Sequence, residues 1–157
     1  MGYVRDIRRK IGHDPLLIVG ASVIVADEKG RVLLQKRVDN GCWGYHGGCV
    51  ELYEDTEQAA RRELYEETGL TAGKMTLLGV FSGPAMRYTY PNGDMASIVD
   101  VVYLCRDYTG APRCQPEEVS ELRWFAPEDV PADAQLSPPN IPAIRAWRAS
   151  QTERSSV

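Results

Sequence analysis

The chain has 157 residues, a length typical of one domain with a buried core, so we predict a single domain over residues 1–157. Its 18 basic and 22 acidic residues give a net charge of −4, which argues against a general nucleic-acid binder, because such a protein needs a positive surface facing the phosphates. No apolar run approaches the roughly 20 residues that cross a bilayer. The first residues, MGYVRDIRRK, show no apolar stretch after their basic residues, so we expect a cytoplasmic protein without a membrane partner.

The first elements follow an N-terminal extension of about residues 1–14. Residues 15–27 are rich in β-branched side chains and residues 31–37 alternate, with the turn EKG between them, which predicts two paired strands. Residues 39–52, DNGCWGYHGGCVEL, are rich in glycine, which destabilises helix interiors. They predict a loop with a short strand.

A helix is predicted from about residue 56 to residue 68. Asp55 and Gln58 have the spacing of a capping box, the sequence AARREL favours a helix, and Gly69 is placed to end it. Further strands are expected at residues 75–83, 86–91, 97–106 and 121–126, with an Asn-Gly hairpin turn at 91–94. A C-terminal helix entered through prolines and a frayed tail over about residues 150–157 complete the chain. Strands and helices that do not strictly alternate indicate an α+β fold.

Three glutamates share one face of the predicted central helix. At about 100° per residue, Glu63, Glu66 and Glu67 fall within about a third of the circumference and repel one another. Mg²⁺ or Mn²⁺, which prefer oxygen ligands, would offset this repulsion. A charged face is also typical of a solvated surface helix, so the helix alone does not decide between the two interpretations.

The spacing around this helix resembles the 23-residue box of the Nudix hydrolases, G-x5-E-x7-R-E-U-x-E-E-x-G-U, where U is a bulky aliphatic residue. Every specified position is matched, by Gly48, Glu54, Arg62, Glu63, Leu64, Glu66, Glu67, Gly69 and Leu70. The flanking segments LLQKR, WGYHGG and EEVSELRWF are similar to those of the same family, and the resemblance covers about residues 17–130.

The resemblance implies an α/β/α sandwich with a mixed β-sheet. It also implies a metal-dependent pyrophosphohydrolase, in which water attacks phosphorus in the diphosphate linkage of a nucleoside diphosphate joined to another moiety. Glu63, Glu66 and Glu67 would hold Mg²⁺ or Mn²⁺, and a backbone carbonyl near Gly47 or Gly48 would complete the metal site. The alternative is a non-catalytic nucleotide-binding module that acts as a sensor or regulator.

Two further roles are implied by the same resemblance. Glu54 and Arg62 would pair and fix the loop against the helix. The general base differs among members of the family, so Glu63 and a glutamate outside the box both stand as candidates; outside the box we favour Glu118, with Glu117 second.

The chain departs from the family pattern at two positions. His46 stands where relatives usually carry proline, and it either contacts a phosphate or is an ordinary loop residue. Tyr53 stands where relatives often carry glycine, and it would be strained if that position needs a positive φ.

The substrate is less well defined by the sequence. Trp43, Tyr45 and Tyr88 are candidates for stacking on a base, and Arg37 is a candidate for contacting phosphate, although aromatic residues in strands often belong to the core. Pro84 and Tyr88 resemble markers of two different Nudix substrate groups. The sequence therefore leaves the nucleotide-type substrate open, and a homodimer possible.

Overall fold

The structure, a computed structural model, describes residues 2–156. The helices of this part of the chain are α1 (Tyr3–Ile11), α2 (Thr56–Thr68) and α3 (Ile141–Ser155). The strands are β1 (Leu16–Val25), β2 (Val32–Arg37), β3 (Trp43–Gly44), β4 (His46–Cys49), β5 (Thr71–Ala72), β6 (Met75–Phe81), β7 (Arg87–Thr89), β8 (Met95–Cys105), β9 (Tyr108–Thr109) and β10 (Val119–Phe125). No helix in this part of the chain is long and apolar enough to cross a membrane.

The largest sheet is mixed and has a helix on each face. Its order is β4-β1-β8-β6, with β7 also beside β8, and the central pair β1 and β8 is parallel while the other pairs are antiparallel. Alternate residues of β1 point to opposite faces. One face packs on α2 through Ala21, Val23, Ala59, Ala60 and Leu64, and the other on α3 through Ile24, Val102, Ala143, Ile144 and Trp147. The expected α/β/α sandwich is confirmed.

The predicted pairing of the first two strands is wrong. β2 lies in a second sheet, of order β10-β2-β3, and its backbone pairing near β1 is limited to a bridge between Ala26, the residue after β1, and Val32. Both edges of β1 are already occupied, by β4 and by β8. Alternation along a strand shows which side chains point inward but not which strand lies next to it, so the local pattern could not reveal this arrangement.

The central helix begins and ends where the sequence predicts. Asp55 accepts a hydrogen bond at 2.8 Å from the backbone N–H of Gln58, which caps the first turn. Gly69, at φ 77°, ends the helix in the left-handed conformation and donates its N–H to the carbonyl of Tyr65. The later predicted strands are present as β6, β7, β8 and β10, and a bond from Tyr90 N–H to the Asp94 carbonyl closes the predicted hairpin turn.

The two ends of the chain differ from the sequence prediction. α1 lies in the N-terminal extension, where no helix is predicted, and Arg8 fastens it through hydrogen bonds to the carbonyls of Met95 and Asp14. α3 continues to Ser155, through most of the predicted frayed tail. After Pro142 this segment contains no proline or glycine that would stop a helix.

Candidate active site

Arg62 joins the loop before α2 to the helix itself. Its Nε and Nη2 donate to the two carboxylate oxygens of Glu54 at 2.8 and 3.0 Å, and Nη2 also donates to the Cys49 carbonyl at 3.3 Å. The hydrogen bond from Arg62 holds the pKa of Glu54 below its usual range. The expected pairing of Glu54 with Arg62 is therefore present, and it ties the end of β4 to α2.

Two glycines of β4 let the strand lie directly against the glutamates of α2. Gly47 N–H donates to Glu67 Oε2 at 3.2 Å. A Cβ built on Gly48 would overlap the carboxyl group of Glu63, and one on Gly47 would overlap the Ser22 hydroxyl. Any larger residue at either position would push these groups apart, so the Gly-Gly pair sets the position of the carboxylates.

The three glutamates have different surroundings. The side chains of Glu63 and Glu67 are 17% and 14% exposed, whereas that of Glu66 is 55% exposed. Arg62 Nη1 lies 2.8 Å from Glu63 and 3.4 Å from Glu66. Burial, helped by the charges of Glu67 and Glu66, raises the pKa of Glu63 to about 6.

The glutamates supply the oxygen donors of a hard cation, but they are not assembled around one position. Within residues 2–156, no three acidic, histidine or cysteine side chains are grouped closely enough to hold a metal ion. Arg62 reaches between Glu63 and Glu66 and partly neutralises both. Three carboxylates face one arginine in this cluster, and carboxylate oxygens are the donors that fit a divalent cation.

Glu118 lies outside the cluster of box glutamates. It is exposed, in the turn before β10, and Glu117 beside it is also exposed. The preceding segment follows the end of α2: Arg113 N–H donates to the Thr68 carbonyl at 2.9 Å, and the Gln115 side chain donates to the Glu66 carbonyl. The structure thus brings this loop to α2 without burying Glu118 beside the other glutamates.

A cavity of about 120 Å³ opens on the face of the large sheet opposite α2. Its wall includes Gly47 and Gly48, the same residues that contact Glu67 and Glu63 on the other side. The volume is below the roughly 300 Å³ at which sites for drug-sized ligands begin, so the enclosed part suits one moiety of a larger molecule.

A buried carboxylate forms part of the cavity wall. Asp100 accepts hydrogen bonds from the Ser22 hydroxyl at 2.8 Å and from the Tyr45 hydroxyl at 2.7 Å. Burial raises the pKa of Asp100. Asn140, also in the wall, accepts the backbone N–H of Tyr45. Sequence reasoning missed both residues, although a single aspartate within the apolar run SIVDVVYLC was a usable signal for Asp100.

Three of the predicted substrate-contacting residues line this cavity: Arg37, Tyr45 and Tyr88. Arg37 is paired with Asp39 through two hydrogen bonds of 2.9 and 2.8 Å. Tyr45 is held by Asp100, and the Tyr88 hydroxyl accepts a bond from Asn40 at 3.1 Å.

Trp43 and His46 do not line the cavity. Trp43 is 7% exposed and packs edge-on against Phe125, with 5.0 Å between ring centroids, so its ring belongs to the core, which is the alternative that the sequence left open for the aromatic residues. His46 is fully buried on the α2 side of the sheet, where it pairs with Val23, and a direct phosphate contact is ruled out by that burial. Tyr53 has a φ of 65° and a fully exposed ring, so this position does take the positive φ at which a tyrosine is strained.

Comparison with known proteins agrees with this geometry. A family model for the NUDIX domain matches residues 16–147. A MutT-like protein of Streptomyces ambofaciens is 33% identical over 116 residues, which cover 74% of this chain and 68% of the relative. An ADP-ribose pyrophosphatase of Methanocaldococcus jannaschii is 34% identical over 110 residues, which cover 68% of this chain and 61% of the relative. The crystal structure of a MutT NUDIX hydrolase from Burkholderia pseudomallei matches with a TM-score of 0.70 and 33% identity, covering 83% of this chain and 98% of that one. The chain belongs to the Nudix hydrolase family.

Proposed function

We propose that this protein is a metal-dependent pyrophosphohydrolase that cleaves the diphosphate linkage of a nucleoside diphosphate joined to another moiety. One observation carries the proposal: Gly47 and Gly48 form the boundary between the cavity and the glutamates of α2. A substrate whose nucleobase enters the cavity would present its diphosphate beside Glu63 and Glu67. The relative described as an ADP-ribose pyrophosphatase supports a substrate of this nucleotide type.

Mg²⁺ or Mn²⁺ would be held by Glu63, Glu66 and Glu67, with a backbone carbonyl of Gly47 or Gly48. The cation supplies charge neutralisation at the diphosphate and a bound water of lowered pKa. Arg62 keeps Glu63 near this position through its 2.8 Å contact, while its bonds to Glu54 hold the loop. Positioning and charge stabilisation carry most of the catalysis in reactions at phosphorus.

Glu63 is the general base that the structure supports better, and Glu118 is the second candidate. In the metal-free protein, burial raises the pKa of Glu63 to about 6, toward the neutral range in which a general base combines an ionised carboxylate with useful proton affinity. Arg62 donates to Glu63 Oε1, so Glu63 Oε2 is the free oxygen. If Oε2 takes the proton of the attacking water, Glu66 and Glu67 would hold the cation. Glu118 is exposed and would have to move with its loop to reach the same water.

The cavity would hold the nucleobase of the substrate. Tyr45 and Tyr88 supply aromatic surface, and Asp100 and Asn140 supply polar groups that can hydrogen-bond to the edge of a nucleobase. Arg37, at the cavity wall, carries a positive charge that suits the phosphates. These five residues are the proposed substrate contacts.

One observation favours a second function, a nucleotide-binding module without catalysis: the glutamates of residues 2–156 are not grouped as a ready metal site. The experiment that separates the two measures phosphate release from nucleoside triphosphates, nucleotide-sugars, ADP-ribose and dinucleoside polyphosphates with Mg²⁺ or Mn²⁺. Turnover that is lost in Glu67→Gln but kept in Glu57→Gln, a control on the exposed first turn of α2, would support the hydrolase. Saturable binding without turnover of any substrate would support the binding module.

A further inference from the structure

His46 has an unusual environment for a residue beside a catalytic loop. It is one of two histidines in the chain, and its side chain is 0% exposed. Its Nδ1 lies 3.3 Å from Gln35 Oε1 and 3.5 Å from Glu67 Oε2. Both neighbours are acceptor oxygens, so a hydrogen bond to either of them requires Nδ1 as the donor. Nε2 is buried without a hydrogen-bond partner among the described residues.

The imidazole of His46 and the backbone N–H of the next residue of β4 both lie beside the same oxygen of Glu67. Gly47 N–H donates to Glu67 Oε2 at 3.2 Å, and His46 Nδ1 approaches that oxygen from the side of the ring. Two consecutive residues of one strand thus lie against one oxygen of the carboxylate, Gly47 with a hydrogen bond and His46 at 3.5 Å. Glu67 Oε1 takes part in neither contact.

The other neighbour of His46 faces the cavity. Gln35 lies on β2, is 4% exposed and forms part of the cavity wall. The imidazole of His46 therefore contacts Gln35, which is in the wall of the proposed nucleobase cavity, and lies beside Glu67, which is a proposed metal ligand. His46 is itself absent from the cavity wall.

We propose that His46 is a positioning residue that orients Glu67 for the divalent cation and, through Gln35, makes this orientation respond to what occupies the cavity. The inference rests on the proposed function, because it assigns His46 a role toward the cation. A proline at this position would have no side-chain donor and could make neither contact.

Metal affinity measured without substrate tests the first half of the proposal. Mn²⁺ binding is measured by calorimetry for wild type, His46→Phe, which keeps the ring volume without a donor, and His46→Asn, whose amide can replace Nδ1. Residues that support a metal ligand commonly change metal affinity by 10-fold or more, so we expect His46→Phe to weaken Mn²⁺ binding about 10-fold and His46→Asn to recover most of this loss. His13→Gln, at the exposed histidine beside Asp94, is the control and should bind as wild type does.

Unchanged Mn²⁺ affinity in a folded His46→Phe variant would overturn the proposal, and so would a loss that His46→Asn does not recover. Because a variant in the core can fail to fold, a second measurement uses the wild-type protein. With two histidines, ¹⁵N-labelling of histidine gives two assignable rings, and Mg²⁺ should shift the Nδ1 resonance of His46 but not that of His13. No shift at His46 would contradict the proposal.

The link to the cavity is tested by a double-mutant cycle on Mn²⁺ affinity. Gln35→Leu should weaken Mn²⁺ binding severalfold in wild type and have no further effect in His46→Phe, because Gln35 acts on Glu67 only through the imidazole. Additive effects of the two substitutions would show that Gln35 and His46 act separately and would overturn the coupling.

The outcomes distinguish this inference from the proposed function. A wild-type protein that hydrolyses its substrate with Mg²⁺, together with a His46→Phe variant of unchanged Mn²⁺ affinity, would refute the role of His46 alone. A wild-type protein that neither binds Mn²⁺ nor hydrolyses any nucleotide would refute the proposed function and the inference with it.

Discussion

Gly48 and Glu63 are in contact across the junction of β4 and α2, and a Cβ at position 48 would overlap the Glu63 carboxyl group. The strand and the helix can approach each other this closely only because position 48 has no side chain. Gly48 therefore determines where a proposed metal ligand lies, although it contributes no side-chain chemistry of its own.

Gly48→Ala should displace Glu63. Overpacking of this kind costs about 1–3 kcal/mol of the free energy of unfolding, and we expect turnover to fall by at least about 10-fold because the carboxylate leaves its place. Thermal or denaturant unfolding and steady-state kinetics measure the two effects. The double variant Gly48→Ala/Glu63→Ala should be no less stable than Glu63→Ala, since the overlapping group is gone; a full additive loss would show that the clash lies elsewhere.

Arg62→Lys should lower turnover although it keeps the charge. Lysine cannot donate to both oxygens of Glu54 at once, so the loop loses its two-point attachment to α2. We expect about a 10-fold fall in kcat. Arg61→Lys is the matched control, because Arg61 pairs with Glu57 on another side of the helix and should keep wild-type turnover. Equal losses in the two variants would argue against a special role for Arg62.

The metal-free protein should lose stability as the pH rises from about 4.5 to about 6, and the loss should be complete at higher pH. The pKa of Glu63 is raised from 4.5 to about 6 in the folded state, so between these values the folded protein binds more protons than the unfolded chain and its stability falls with increasing pH. In the presence of EDTA, Glu63→Gln should be more stable than wild type by up to about 2 kcal/mol near pH 8, and the difference should vanish below about pH 4. Urea unfolding across this pH range measures it.

Mg²⁺ provides the control for this pH effect. If the cation binds at the glutamates, it should stabilise wild type near neutral pH more than it stabilises Glu63→Gln. A wild-type protein that is less stable than the variant with Mg²⁺ as well as without it would contradict the proposed site.

Tyr53→Gly should stabilise the fold. Tyr53 is the one non-glycine residue among 2–156 with a positive φ, and its fully exposed ring offers little packing to lose. Relief of the left-handed conformation is worth about 1 kcal/mol after the extra chain entropy of glycine is subtracted. Tyr53→Ala is the control: it removes the ring but keeps the strain and should show no comparable gain. A gain in both variants would point to the ring instead of the backbone.

Much of the proposed site could be predicted from the sequence because its parts are local. The bounds of α2 follow from Asp55, Gly69 and the helix propensity between them, which act within a few residues. The spacing from Gly48 to Leu70 identified the residues around the glutamates, including the pairing of Glu54 with Arg62.

Other features depend on contacts between residues distant in sequence. The Trp43 ring packs on Phe125, a residue far from it in the sequence, which assigns it to the core. Asp100 and Tyr45, 55 positions apart, meet only when β8 and β4 join the same sheet as β1. The pairing of β1 with β8 instead of β2 decides which residues line the cavity. The sequence by itself therefore determined the family, the central helix and the identity of its glutamates, because capping, propensity and motif spacing are short-range. Only the tertiary structure decided the cavity wall and the burial of His46 between Gln35 and Glu67, because strand pairing and packing join parts of the chain that no local pattern relates.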